Sequence, residues 1–129
     1  MKVLVTGSRT MGPEHYELVK FELLMLLALE PLHIIQGGAS GADNLAKRVA
    51  TVFGFPVDEY PADWERYGKA AGSQRNQQML NQKPDLVLAF YPTTGITPGT
   101  KDMVTRAYKA SIPVKTVQYV EVPECSDGD

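Results

Sequence analysis

Short continuous apolar runs alternate along the chain with stretches whose apolar residues recur at helical spacing. Val3-Leu4-Val5 is a β-branched run of the kind found in strands buried on both faces. Gly12-Pro13 opens a helix with proline in its first turn. Tyr16, Val19, Leu23, Leu24 and Leu27 form one stripe of that helix; Leu18, Phe21, Met25 and Leu29 form a second. A helix apolar on both sides is expected to be buried on both sides. The second stripe is then either the contact of a homo-oligomer or part of a deep core helix. Glu30-Pro31 stops this helix, and Leu32-His33-Ile34-Ile35 predicts a second strand. Leu45, Ala46, Val49, Ala50 and Phe53 predict a helix from about Ala42 to Phe53, closed by Gly54-Phe55-Pro56. Val57 to Tyr60 reads as a shorter third strand, and Pro61 to Lys69 as a polar loop carrying the only tryptophan, Trp64. Ala70 to Leu80 reads as a helix with few apolar positions, and Leu86 to Phe90 as the clearest buried strand. A further helix carries Met103, Val104, Ala107 and Tyr108, and Ile112 to Val117 gives a fifth strand. Residues 121–129 are acidic, contain proline and glycine, and are expected to form a disordered tail.

Strands alternating with helices predict an α/β fold. We expect residues 1–120 to form a single doubly wound, Rossmann-like domain of about five parallel strands, with helices on both faces and right-handed crossovers. Such sheets bind ligands outside the carboxyl ends of their strands, where the strand order reverses. The polar, glycine-containing turns Gly7-Ser8-Arg9, Gly37 to Asp43 and Gly99-Thr100-Lys101 all follow strands, so they are expected on one edge.

Composition narrows the function. At 129 residues and 43% hydrophobic, the chain has enough material for a core without metal or disulfide staples. Thirteen basic against fifteen acidic residues leave a net charge of −2, which gives no electrostatic footprint for duplex DNA or an anionic membrane. A single cysteine, Cys125, has no intramolecular partner and fits a reducing compartment. Met1-Lys2 leads directly into a strand rather than a signal peptide. Phe21 to Leu29 is too short and too interrupted to span a membrane. The expected location is the cytoplasm. His15 and His33 lack metal-ligand spacing, so no metal site and no cofactor are expected.

The stretch that carries most chemistry is Gln36-Gly37-Gly38-Ala39-Ser40-Gly41-Ala42-Asp43, which leaves a strand and enters a helix. Glycine lets backbone amides approach a ligand, and the first amides of a helix lack internal partners, so this arrangement suits a phosphate. Arg9 is placed to pair with phosphate at a strand end. Asp43 is a candidate for a ribose hydroxyl contact or a base, and otherwise a favourable first-turn acid. Arg75 and Asn76 are candidates for a base edge or phosphate, and Lys101 for phosphate charge. Thr100 is a candidate helix N-cap, worth about 1 kcal/mol. Trp64 and Tyr67 could stack on a base or form a lid.

Taken together, several segments resemble the SLOG superfamily, which includes the DNA-processing Smf/DprA proteins and the LOG phosphoribohydrolases, and most closely its YspA-like branch. They are Val5-Thr6-Gly7-Ser8-Arg9, Gly37 to Asp43, Pro61-Ala62-Asp63-Trp64, Gly68-Lys69-Ala70-Ala71-Gly72, Arg75-Asn76 and Gly99-Thr100-Lys101-Asp102-Met103-Val104. The resemblance implies a Rossmann-like sheet and a nucleotide-derived ligand, held as a sensor or within a nucleotide-processing system. Its ligand-binding set would be Gly7, Ser8, Arg9, Gly37, Gly38, Ala39, Ser40, Gly41, Asp43, Trp64, Arg75, Asn76, Gly99, Thr100 and Lys101. LOG-type enzymes carry a Gly-Gly-x-Gly-Thr-x-x-Glu pattern whose glutamate takes part in cleavage. Met103 stands at that position, and a thioether supplies neither acid nor base. Pro98 replaces a glycine of the pattern and removes one amide donor. Hydrolysis of a nucleotide N-glycosidic bond would therefore fall to Asp43 or Asp102. Single-stranded DNA binding, suggested by the DNA-processing relatives, is disfavoured by the acidity and the missing arginine–lysine stripe.

Overall fold

The computed structural model describes residues 1–121, so the expected tail, apart from Glu121, and Cys125 lie outside the described residues. Five strands form one sheet: β1 (Lys2–Gly7), β2 (His33–Gln36), β3 (Val57–Glu59), β4 (Leu86–Pro92) and β5 (Val114–Tyr119). Every pairing is parallel and the order is β3-β2-β1-β4-β5. The chain steps outward from β1 to β3, crosses back, and steps outward the other way through β4 and β5. The order therefore reverses between β1 and β4.

Alternation along β1 divides the core. Val3 and Val5 face one side with Ile34, Leu88 and Phe90, beneath α1 (Tyr16–Leu27) and α2 (Ala42–Phe53). Leu4 faces the other side with Ile35 and Val87, beneath α4 (Ala71–Leu80) and α5 (Pro98–Lys109). Both faces are covered, which is why β1 and β4 read as continuous apolar runs.

Three local expectations change. The segment 61–69 is not all loop: Asp63 accepts the Arg66 amide at 3.1 Å and starts α3 (Trp64–Tyr67), followed by a 3-10 turn, Gly68–Ala70. α1 buries one stripe only. Val19 and Leu23 are fully buried, whereas Phe21, Met25 and Leu29 are 58%, 56% and 73% exposed in the single chain. Thr97 occupies the N-cap position of α5, without a side-chain cap bond, and Pro98 the first helical position, so Thr100 is not the N-cap. Thr100 is buried one turn in, its hydroxyl 2.9 Å from that of Thr97. The predicted bounds of α2 hold, with Gly54 left-handed at its C-terminal end.

Candidate functional site at the strand-order reversal

The turns after β1, β2 and β4 meet at one rim and enclose a cleft of about 470 Å³. Gly7 allows the first turn to press against α2, because a Cβ there would lie 2.7 Å from that of Ala42. The Ser8 amide donates to the Phe90 carbonyl (3.1 Å), and the Ser8 carbonyl accepts the Ala42 amide (3.3 Å). Ser8 and Thr10 join their hydroxyls at 2.7 Å. The turn is thus tied to β4 and α2 on either side, and Arg9 leaves it towards solvent. Its guanidinium has no carboxylate partner among the described residues and lies 5.7 Å from the Trp64 ring centroid.

The β2–α2 loop differs from the expected phosphate cradle. Gly37 and Ala39 donate their amides to one carboxylate oxygen of Asp43, at 3.1 and 3.3 Å, and Gly38 donates to the Gln36 side chain. The loop's first amides are therefore satisfied from within and are not free to serve as phosphate donors. Asp43 is 6% exposed on the cleft wall. Burial pushes its carboxyl from 3.8 up to about 6, against the pull of the Ala39 and Gly37 amides and of the Arg75 and Arg9 charges.

Arg75 binds the same loop from α4, donating to the Gly37 carbonyl at 2.6 Å. Burial lowers its pKa, with nearby Asp43 opposing the shift and Arg9 adding to it. Glycine at position 37 leaves room for this contact, because a Cβ would fall on the Arg75 guanidinium and displace it. Asn76 is buried and donates to Asp102 at 2.9 Å, and Arg106 donates to the same oxygen at 2.9 Å. These bonds lock α4 to α5, and Asp102 is held between two donors at the cleft edge.

On the opposite wall, α5 begins without a side-chain cap bond. Its first intrahelical donor is Lys101, to the Thr97 carbonyl, so the amides of Gly99 and Thr100 carry no internal partner and border the cleft.

Of the residues expected at the site, Gly7, Ser8, Arg9, Ala39, Asp43, Trp64, Arg75, Asn76, Gly99, Thr100 and Asp102 line this cleft. Gly37, Gly38 and Ser40 line an adjoining recess. Gly41 lies behind the wall, against the Ser8 carbonyl. Lys101 is exposed and does not border the cleft, since a residue one step past Thr100 turns about 100° around the helix. Tyr67 does not line it either and sits under Arg66. Met103 is fully buried in the α4–α5 core, consistent with an apolar residue at that point of the pattern. The structure adds Thr6, Thr10, Lys69, Gly72, Ser73, Thr97 and Pro98 to the lining. Thr6, Lys69 and Gly72 lay inside the segments that carry the family resemblance and Thr10 and Thr97 beside them, whereas Ser73 carried no signal of its own. His33 pairs with Asp58 at 2.8 Å, and His15 packs on Tyr119.

An all-parallel sheet with helices on both faces and a cleft at the strand-order reversal define an α/β protein of the Rossmann-like class. Residues 1–67 match the profile of the YspA, cpYpsA-related SLOG family. The chain is also 39% identical over 120 residues to the Gene 61 protein of Mycobacterium phage D29, covering 88% of this chain and 93% of that protein. The chain belongs to the YspA, cpYpsA-related SLOG family. Among solved structures, DNA processing protein A (DprA) of Streptococcus pneumoniae superposes with a TM-score of 0.51 at 18% identity, over 88% of this chain and 58% of that one. A putative UDP-N-acetylglucosamine 2-epimerase of Listeria monocytogenes gives 0.52 at 17% identity, over 90% of this chain and 29% of that one. Both likenesses are of fold, and the chain spans less than two thirds of either protein. Family and fold together indicate a nucleotide-related role in general terms. No helix among the described residues is long and apolar enough to cross a membrane.

Proposed function

We propose that residues 1–120 bind a nucleotide or nucleotide-derived small molecule, in the cytoplasm, as a sensor or part of a nucleotide-processing system. One observation carries this reading: Arg9, without a carboxylate partner among the described residues, lines the same cleft as Gly99 and Thr100, whose amides have no intrahelical partner. A phosphate there would take charge-assisted hydrogen bonds from both sides. Trp64, 51% exposed at the rim, offers a stacking face. Calorimetry against a panel of nucleoside mono- and diphosphates tests the reading. At least one is expected to bind, and Arg9→Ala is expected to weaken it about tenfold to a hundredfold, the worth of a charged hydrogen bond. No binding by any member of the panel would remove the proposal.

A second reading follows from Asp43. A buried carboxyl that keeps its proton to about pH 6, on the wall of the same cleft, is equipped for general acid catalysis. N-glycosidic hydrolysis would then release free base from a nucleotide, and Asp43→Asn would abolish that release while Asp102→Asn would not. Equal rates in all three proteins would exclude Asp43 as the acid.

We also propose that Phe21 and Met25 of α1, with Leu29 in the turn just past its end, join two copies of the chain, because these exposed large apolar side chains favour burial. Sedimentation equilibrium is expected to show a concentration-dependent dimer that Met25→Glu dissociates. A monomer at every concentration contradicts this.

A further inference from the structure

The site has two chambers. Arg9, Ala39, Trp64 and Arg75 border both the main cleft and a second recess of about 190 Å³. The outer walls of the recess are the β2–α2 loop and Pro61-Ala62. Pockets that take a whole small molecule measure roughly 300–1,000 Å³. The main cleft falls within that range and the recess below it. The recess is therefore too small for a ligand of its own, but it opens on the wall it shares with the cleft and can take part of a ligand seated there.

Its lining says which part. Among the described residues Arg9 and Arg75 are the only charged side chains on it, and both stand on the shared wall. Arg75 spends Nη1 on the Gly37 carbonyl and Nε on the Asn76 side chain, which leaves Nη2 for a ligand, and Arg9 has no carboxylate partner among the described residues. Two arginines thus stand at the junction, and among the described residues no carboxylate lines the recess: Glu59 lies behind Gly38, and Asp43 faces Arg75 from the main cleft. Beyond the junction the surface consists of glycine backbone, the Ser40 hydroxyl, small side chains and one side of the Trp64 indole. Such a wall suits a compact hydroxylated ring, which offers hydrogen-bonding groups around its edge and C–H groups on its face. It does not suit a second flat base, which would need an apolar slot.

We infer that the ligand is a nucleoside diphosphate joined to a sugar, with its nucleotide in the main cleft, its second phosphate at the Arg9–Arg75 junction and its sugar in the recess. This rests on the nucleotide reading above and sharpens it.

The experiment compares binding of AMP, ADP and ADP-glucose, and of UMP, UDP and UDP-glucose, because the base is not specified by the argument. Calorimetry is run on the full chain, on Ala62→Phe and on Ala62→Trp, whose rings would fill the recess to different depths from the Pro61-Ala62 wall. Thermal unfolding confirms that each variant is folded. For one base series, the sugar-bearing diphosphate is expected to bind at least tenfold more tightly than the monophosphate and more tightly than the plain diphosphate. Either filled variant is expected to erase the sugar's share of that gain and leave monophosphate binding within twofold. If monophosphate, diphosphate and sugar diphosphate bind equally, or if the sugar's gain survives in both filled variants, the two-chamber assignment is wrong while nucleotide binding stands. If none of the six compounds binds, the nucleotide reading falls and the assignment falls with it.

Discussion

Gly41→Ala is expected to destabilise the protein by about 2–5 kcal/mol, combining backbone strain with overpacking. Gly41 sits at φ +79° and ψ −129°, a conformation that L-residues rarely adopt, and it is the N-cap of α2. A Cβ there would also drive into the Ser8 carbonyl and approach the Arg9 Cα to 2.8 Å. Neither contact can yield cheaply, because both atoms belong to backbone that is pinned to β4 and α2. Relief would require the β1–α1 turn to move, and with it Arg9. Urea denaturation would therefore show a lower midpoint, and the folded remainder would bind nucleotide more weakly. Gly99→Ala provides the contrast. A Cβ at Gly99 meets nothing within 4 Å, and the position lies in a helix's first turn. It should be neutral or slightly stabilising, by up to about 1 kcal/mol. Equal losses in the two variants would mean that the close approach of the two turns is not what selects glycine at position 41.

The contrast between these glycines also shows how far the chain could be read before its fold was known. The sheet was legible because each strand is a short apolar run with turn residues at its end, and β1 and β4 are buried on both faces. The convergence of the turns followed from the parallel topology. Side-chain choices inside the turns were not legible. Spacing places Asp43 two residues past Gly41 but does not show that its carboxylate folds back onto the Gly37 and Ala39 amides. The glycine-rich loop thus looked like a phosphate cradle, while its first amides were already taken. The start of α5 was misplaced for a similar reason: Thr97 and Thr100 are both capping residues, and the fixed φ of Pro98 favours Thr97 as the cap. The short helix α3 had a readable signal in Asp63, three residues before Arg66, hidden by the glycine and polar residues around it. The second apolar stripe of α1 was legible as a pattern, although a single chain covers only one side of the helix.

Replacing Asp43 with asparagine should raise stability at pH 8 and remove a pH dependence that the native protein carries. The folded pKa of about 6 lies above the ordinary 3.8, so the native state holds the proton more tightly than the unfolded chain does. The stability linked to this group is fully present below about pH 4 and is lost as pH rises through about 6. About two pH units at 1.36 kcal/mol each set the change at about 3 kcal/mol. Asparagine keeps an oxygen that can accept the Gly37 and Ala39 amides, and it carries no charge to bury. Denaturation of both proteins from pH 4 to pH 8 isolates the effect, because the other carboxylates titrate alike in each. The difference in favour of Asp43→Asn should grow between about pH 4 and 6 and then level off. A difference that stays constant across that window would mean that Asp43 titrates as an ordinary carboxylate, and the general-acid reading of the cleft would lose the property it depends on. A difference that grows as expected would leave a protonatable group beside the proposed phosphate site. Anionic ligands should then bind more tightly below pH 6 than above it, since protonation removes the one buried negative charge facing them.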